Sequence, residues 1–388
     1  MITRDEIKEL AEYESPQQCA LTFYYQPSVP KDQSHREEAI TLKDLVREAL
    51  HDAEKGGRNE CARADLHRIL DMADNMHGNG GKAKAIFADS ANGFWREFDI
   101  PPRLESHKIV VSRKFHLKPL VPLVESNPRV AVCLADRTKA RLIDYHMGEG
   151  REMLDFFNEL PRHGESEGWA GYDAGHIQRA AAENTKQHYK RMNDILMKMY
   201  ERGGWDAIAF GCRDESWPEI QDVLHTYVTQ NLLGHFRIDP KVASLDAVVE
   251  GVERLLKERE SARRDELIRQ VIGEAHRNGN GALGLRRVLR SLETGEMQTL
   301  LLGHKFSASG SQCPNCGHIE MGHNEKCSLC GNDARQISDL ADVLISEAVR
   351  NGIDIVYIRG DEEFENAGHI AGLLRFRADQ NTPMKLAG

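Results

Sequence analysis

The sequence has no long apolar run and no excess of positive charge. None of its apolar runs approaches the roughly 18 residues of a membrane-spanning helix, and the N-terminal Met1-Ile-Thr-Arg-Asp-Glu lacks the basic-then-apolar pattern of a signal peptide. With 51 Lys and Arg against 61 Asp and Glu, the net charge of −10 excludes a long-range positive field that would coat nucleic acid indiscriminately. We therefore expect a cytoplasmic protein without membrane partners.

Repeats of fixed period, low-complexity tracts and a nucleotide-binding P-loop are also missing. The segment GNGGK at 78–82 lacks the GxxxxGK[ST] pattern and does not follow a strand. What remains is a chain of 388 residues in which 40% are hydrophobic and 29% are charged. This length fits two or three domains of about 100 to 200 residues each.

Apolar spacing predicts an α/β fold class with three α/β domains in series. Spacings of three and four residues predict helices, and short apolar runs between turn signals predict strands. The predicted helices cover 42–53, 66–76, 177–199, 245–274, 285–292 and a segment that begins at Ser338 and stops at Gly352. The predicted strands cover 83–88, 108–111, 129–134, 140–145, 206–210, 299–302 and 353–358. The resulting domains are 1–127, 128–259 and 260–388, and the strand–helix–strand order of the second predicts a parallel crossover.

The eight cysteines fall into a scattered group and a patterned group. Cys19, Cys61, Cys133 and Cys212 are scattered, and in a reducing compartment they are expected to be buried, small apolar residues. Cys313-Pro-Asn-Cys316-Gly and Cys327-Ser-Leu-Cys330-Gly form two knuckles separated by ten residues. Four thiolates suit tetrahedral Zn²⁺.

A zinc ion held by four sulfurs has no open position for a water, so its predicted role is structural. The sequence thus predicts a zinc ribbon at 311–332, inserted into the third domain and held by Cys313, Cys316, Cys327 and Cys330. His304, His318 and His323 lie nearby in the sequence and are expected to be surface residues rather than ligands. The alternative is a surface loop whose cysteines bind no metal.

The second candidate site is the polar, glycine-bearing loop at 163–176. Its predicted RNA-binding residues are His163, Gly168, Trp169, Gly171, Tyr172 and His176. Aromatic side chains on a flexible loop stack on unpaired bases, at about 1–3 kcal/mol per base. The alternative is that both rings fold back onto their own domain. No serine or cysteine nucleophile stands beside the two histidines, and no catalytic residue is assigned.

Four basic clusters stand out on this acidic chain. They are Arg113 to Lys118, Arg137 with Lys139 and Arg141, Lys186 with Lys190 and Arg191, and Arg286 with Arg287 and Arg290. Such clusters mark phosphate contacts in nucleic-acid-binding proteins, and they also occur as ordinary solvated faces. The sequence leaves both interpretations open.

Four stretches, taken in order, carry a resemblance to a known family. They are Ser112-Arg-Lys-Phe-His-Leu-Lys-Pro-Leu120, Leu160-Pro-Arg-His-Gly164, GLRRVLRSLETGEMQTLLL at 284–302, and AGHIAGLLRF at 367–376. The chain resembles the archaeal and eukaryotic class-one peptide chain release factor and Pelota superfamily. In particular, it resembles the bacterial branch of Balon-like ribosome hibernation factors.

Two departures from that family shape the functional hypothesis. Release factors of the family carry Gly-Gly-Gln on the loop of the middle domain, where this chain has Gly168-Trp-Ala-Gly-Tyr172, and the Asn-Ile-Lys-Ser stop-codon reader is also absent. The resemblance therefore implies a factor, not an enzyme, that occupies the A site of idle or stalled ribosomes, with the 163–176 loop near the peptidyl transferase centre. The implied partners are rRNA, with P-site tRNA and an elongation-type GTPase as further candidates.

Two other functions stay open at this point. The loop can promote peptidyl-tRNA hydrolysis through His163 or His176, which would make the protein a peptide chain release or rescue factor. A protein-interaction or RNA-processing module unrelated to ribosomes is the third possibility.

Overall fold

The computed structural model describes residues 2–26, 36–56, 60–76, 83–101, 104, 107–125, 127–157, 173–202, 204–304, 306–337 and 339–378. These residues form two compact units. Met1–Glu125 and Arg264–Gly388 together make one, here called the discontinuous unit, and Ser126–Arg263 make the middle unit. Across the described ranges, no helix has the length and apolar character needed to cross a membrane. The mixed α/β class is confirmed, and the division into three domains at 127 and 259 stays a prediction.

The first segment of the discontinuous unit is a four-stranded antiparallel sheet with helices. Its elements are α1 (Arg4–Glu12), β1 (Ala20–Tyr25), α2 (Arg36–Gly56), α3 (Arg63–Met76), β2 (Ala83–Asp89), β3 (Phe94–Ile100), β4 (Lys108–Ser112) and α4 (Leu120–Glu125). The strand order is β3-β2-β1-β4. Helices α2 and α3 pack on one face of this sheet, where Leu42, Val46, Leu66 and Ile69 are buried against Phe23. The helices predicted at 42–53 and 66–76 are confirmed, as are both strands.

The sequence prediction was wrong for two of the scattered cysteines. Cys19 and Cys61 form a disulfide, with Cα atoms 5.9 Å apart. Cys19 immediately precedes β1, and Cys61 lies in the short 3-10 helix Glu60–Ala62 before α3. Because 42 residues separate the two positions, nothing local in the sequence could pair them. Cys133 and Cys212 are free and buried, as expected.

The middle unit is a five-stranded sheet with helices packed against it. Its elements are β5 (Val130–Ala135), β6 (Lys139–His146), β7 (Glu149–Phe157), α5 (Asp173–Glu201), β8 (Ala207–Cys212), α6 (Trp217–Gln221), α7 (Thr226–Gln230), β9 (Leu232–Arg237) and the first part of α8 (Leu245–His276). The order is β7-β6-β5-β8-β9, with β5 parallel to β8 and β8 parallel to β9. The predicted parallel crossover is confirmed.

Alternation along β5 explains why helices cover both faces of this sheet. Successive strand side chains point to opposite faces, and all six residues of β5 are buried. Ala131 and Cys133 pack with α5 residues, including Tyr189 and Met192. Their neighbours Val130, Val132 and Leu134 pack with α8 residues Val248, Val252 and Leu256.

The second segment of the discontinuous unit holds a mixed sheet and a small ribbon. After the end of α8 come β10 (Gly281–Leu283), α9 (Leu285–Glu293), β11 (Met297–Gly303), β12 (Gly310–Gln312), β13 (Ile319–Met321), β14 (Arg335–Ile337), α10 (Leu340–Arg350), β15 (Asp354–Ile358), α11 (Glu362–Asn366) and β16 (Ile370–Leu374). The larger sheet has the order β10-β16-β11-β15. The ribbon is a three-stranded antiparallel sheet of order β13-β12-β14.

The start of α10 corrects one capping prediction. Asp339 is the N-cap, and its side chain accepts a hydrogen bond from the backbone amide of Ala341. Ser338, predicted to begin this helix, lies outside the described residues. Asp and Ser are similarly good N-caps, so adjacent candidates cannot be ranked from sequence. The predicted stop is confirmed, since Gly352 follows the helix with a φ of 62°.

Candidate functional site

The four patterned cysteines come together at the ribbon. Their sulfurs lie within 4.8 Å of one another, and this is the one group of three or more potential metal ligands found among the described residues. Cys313 Sγ is 3.4 Å from Cys330 Sγ, and Cys316 Sγ is 3.6 Å from Cys327 Sγ. Four sulfurs bound to a central Zn²⁺ at about 2.3 Å would be about 3.8 Å apart. The cluster therefore has the dimensions of a tetrahedral four-thiolate site.

The two knuckles have the same backbone geometry, which explains the glycine after each second cysteine. The amide of Gly317 donates to the Cys313 carbonyl, and the amide of Gly331 donates to the Cys327 carbonyl, both at 2.9 Å. The φ angles of the two glycines are 77° and 74°, a left-handed conformation that side chains disfavour. Each tight turn brings its pair of sulfurs to one side of the ribbon.

Neighbouring groups shift the pKa values of two of the four thiols in opposite directions. A hydrogen bond from the backbone amide of Asn332, together with the thiol of Cys313, lowers the pKa of Cys330 to about 6. The amide of His318 acts in the same direction on Cys316, but desolvation and the three neighbouring sulfurs outweigh it and raise the pKa of Cys316 to about 12. A thiolate at one position disfavours a second thiolate beside it, and a bound divalent cation would remove that repulsion.

Histidines near the cluster are engaged elsewhere. His318 Nδ1 is 2.6 Å from Glu293 Oε1, and His318 Nε2 is 3.2 Å from Glu320 Oε1. His323 pairs with Gln336. Glu293, the last residue of α9, also accepts a hydrogen bond from the amide of Ile319 in β13. These contacts of Glu293 with His318 and Ile319 connect α9 to the ribbon.

The loop residues predicted to bind RNA lie outside the described part of the structure. His163, Gly168, Trp169, Gly171 and Tyr172 belong to the segment 158–172, which is not described. His176 lies in the first turn of α5, and only its backbone is described. The segment connects β7 to α5 in the middle unit. The roles assigned to these six residues stay predictions.

The basic cluster at 113–118 makes contacts inside the discontinuous unit. Lys114 Nζ lies 3.3 Å from Glu347, His116 Nδ1 lies 2.7 Å from Asp342, and Lys118 Nζ lies 2.9 Å from Asp339. The three acidic partners belong to α10 or its cap. More than 220 positions separate each basic residue from its acidic partner, so the sequence could not show these ion pairs. Neither interpretation drawn from the sequence, phosphate contact or solvated face, described this cluster.

Of the other basic clusters, two are also partly paired within the protein. Arg137 binds Glu219, and Arg141 binds Glu152 and the carbonyl of Ala243. Arg287 lies 2.9 Å from Glu296, whose side chain is 1% exposed. Arg286 and Arg290 are exposed.

Two sequence comparisons show which proteins this chain is similar to. The model of bacterial archaeo-eukaryotic release factor family 10 matches residues 116–257, a range that begins inside the 113–118 cluster and ends in α8. Peptide chain release factor subunit 1 of Archaeoglobus fulgidus is 22% identical over 400 residues, covering 96% of this chain and 96% of that protein. Both findings agree with the resemblance to the release factor and Pelota superfamily that the sequence motifs predicted.

Solved structures of the same superfamily are also similar to this chain. The archaeal translation termination factor shares 14% identity over 97% of this chain and 99% of its own, with a TM-score of 0.25. Archaeoglobus fulgidus Pelota shares 13% over 97% and 93%, with a TM-score of 0.34. An archaeal Pelota described in a ribosome-bound model with ABCE1 shares 14% over 78% and 79%, with a TM-score of 0.36.

Proposed function

We propose that this protein is a ribosome-binding translation factor that occupies the A site of idle or stalled ribosomes, in hibernation or rescue. Similarity to the release factor and Pelota superfamily supports the association with translation. One observation carries the finer assignment: the chain has no Gly-Gly-Gln, and its loop presents Trp169 and Tyr172 instead. Two bulky rings suit binding to unpaired bases better than admission of a hydrolytic water.

The proposal extends to the partners and location of the protein. The 163–176 loop would contact rRNA, and P-site tRNA where present, near the peptidyl transferase centre. An elongation-type GTPase is the proposed delivery partner, on the strength of the family resemblance. The proposed location is the cytoplasm, where these partners are found.

Co-sedimentation with ribosomes of the same organism tests this function. Replacing both Trp169 and Tyr172 with Ala is expected to weaken ribosome binding, because each lost stack contributes about 1–3 kcal/mol. Tyr227→Ala is the matched control, since Tyr227 is a 62% exposed ring of the middle unit outside the loop. Equal affinities for the double variant, the control and the parent protein would contradict the proposal.

The alternative function is peptide chain release or rescue by peptidyl-tRNA hydrolysis. It is favoured by the two loop histidines, His163 and His176, and by the name of the Archaeoglobus relative. A peptidyl-tRNA release assay on programmed ribosomes distinguishes the two functions. Release that disappears in His163→Ala or His176→Ala supports the enzyme, whereas tight ribosome binding without release supports the binding factor.

We further propose that the four-cysteine cluster holds a structural Zn²⁺. Cys313, Cys316, Cys327 and Cys330 would be its ligands, and all four positions of a tetrahedral ion would be filled by sulfur. The ion would hold together a ribbon whose strands are only three residues long, because so small a sheet buries too little apolar surface to be stable alone.

A further inference from the structure

A small pocket in the discontinuous unit is lined by basic side chains. It has a volume of about 350 Å³ and lies where the C-terminal end of α8 meets β10 and α9. Its ionisable lining residues are His276, Arg287, Arg290 and Arg377, and no carboxylate is among the described residues that line it. On a chain with a net charge of −10, this concentration of arginine marks a local site for an anion.

Two of the three arginines are held in place by the protein. Arg287 forms an ion pair with the buried Glu296, which fixes the guanidinium and offsets its charge. Arg377 Nη1 donates to Asn278 Oδ1 at 2.7 Å and also to the Asn278 carbonyl, at the turn that ends α8. Both side chains are therefore ordered before a ligand arrives, which lowers the entropy lost on binding.

Arg290 is the arginine of the pocket that is available to a ligand. It is exposed, and it forms no ion pair with any other described residue. It follows Arg287 by three positions on α9, so the two side chains project from the same face of that helix. The first turn of α9 adds positive potential, because its N-cap is Gly284, which has no side chain to cap the amides.

The choice of arginine indicates the class of anion. The planar guanidinium binds a phosphate through two parallel hydrogen bonds, which lysine cannot do.

We propose that this pocket binds the phosphate backbone of RNA, with Arg290 as the principal contact. The identification of that RNA as ribosomal rests on the proposed function, but the site itself does not. The pocket would be a second RNA contact, formed by the 264–388 segment and separate in sequence from the 163–176 loop.

Fluorescence anisotropy of the full chain with a labelled single-stranded RNA oligonucleotide tests the site. Arg290→Ala is expected to weaken binding about tenfold and to reduce the slope of log K against log salt concentration by about 0.7, the loss of one phosphate contact. The RNA affinity of Arg290→Lys should lie between that of the parent protein and that of Arg290→Ala, since lysine keeps the charge and loses the paired hydrogen bonds. Arg286→Ala is the matched control: it removes the same charge from an exposed position on α9 that does not line the pocket.

Three outcomes would overturn the proposal. Equal losses in Arg290→Ala and Arg286→Ala would mean a diffuse basic face rather than a pocket. Displacement of the RNA by an acidic peptide at equal charge would mean general anion binding to the arginines. Displacement by inorganic pyrophosphate at equal phosphate concentration would mean a site for a small free anion.

Ribosome co-sedimentation separates this proposal from the proposed function. If the protein binds the oligonucleotide through Arg290 but does not sediment with ribosomes, the proposed function fails and the RNA site stands. If the protein sediments with ribosomes and Arg290→Ala changes neither assay, the RNA site fails and the proposed function stands.

Discussion

At the scale of single residues, the cysteines show what spacing can and cannot predict. Cys313 and Cys316 are close in the chain, so the knuckle that they form could be predicted from the sequence. Its sulfurs lie close to those of the second knuckle in the structure. The Cys19–Cys61 disulfide could not be predicted, because it depends on how β1 and the segment before α3 meet in space. The acidic partners of Lys114, His116 and Lys118 were missed for the same reason.

The metal prediction also belongs to single residues. We expect the purified chain to contain about one zinc ion, and Cys313→Ser to lose it, because a serine hydroxyl is a poor replacement for a thiolate ligand. Elemental analysis by mass spectrometry measures the content directly. Cys133→Ser is the control, since Cys133 is a free, buried cysteine on β5 outside the cluster, and it should retain the metal. A parent protein without zinc, and unaffected by a chelator, would remove the ion from the ribbon.

At the scale of elements, apolar patterns predicted most helices and strands, with one clear omission. Helices α2, α3 and α5 each have an apolar face with helical spacing, and their existence was predicted. A strand covered on both faces shows no alternation between apolar and polar residues, so only a short apolar run can predict it. Strands β5 and β8, all of whose residues are buried, were predicted in this way, whereas the equally buried β1, with the sequence ALTFYY, was missed.

Helix α8 offers a paired test of packing against helix propensity. Gly251 and Gly273 both lie inside this 32-residue helix, where alanine is favoured over glycine by about 1 kcal/mol. A Cβ at 251 would overlap the ring of buried Phe236, whereas a Cβ at 273 would have only the end of the Arg277 side chain within 4 Å, at 3.4 Å. Gly273→Ala should therefore raise the free energy of unfolding by about 0.5–1 kcal/mol, and Gly251→Ala should lower it by about 1–3 kcal/mol.

Urea denaturation followed by circular dichroism gives both free energies from the same helix. If Gly251→Ala were as stabilising as Gly273→Ala, the contact between α8 and Phe236 would not be tight.

At the scale of the whole molecule, the discontinuous unit joins chain segments that are far apart in sequence. Lys118, just before α4, donates to Asp339 at 2.9 Å and to the carbonyl of Phe306 at 3.0 Å, and its side chain is 23% exposed. Lys118→Met would leave a half-buried carboxylate and a carbonyl without their donor, at a cost of about 1–3 kcal/mol in the free energy of unfolding.

Lys241→Met is the matched control for that substitution. Lys241 pairs with Asp136 at 3.6 Å in the middle unit, with 60% of its side chain exposed, and such a pair contributes about 0–1 kcal/mol. Hydrogen exchange measured by mass spectrometry should show faster exchange of both 107–125 and 339–350 in Lys118→Met. Equal stability of the two variants would mean that this contact does not join the segments.

The discontinuity of that unit also sets an order of events during the protein's own synthesis. The first 125 residues leave the exit tunnel long before residues 264–388 exist, while the middle unit is contiguous and can fold as soon as it emerges. Until α10 has emerged from the tunnel, Lys114, His116 and Lys118 lack the acidic partners that they contact in the folded unit.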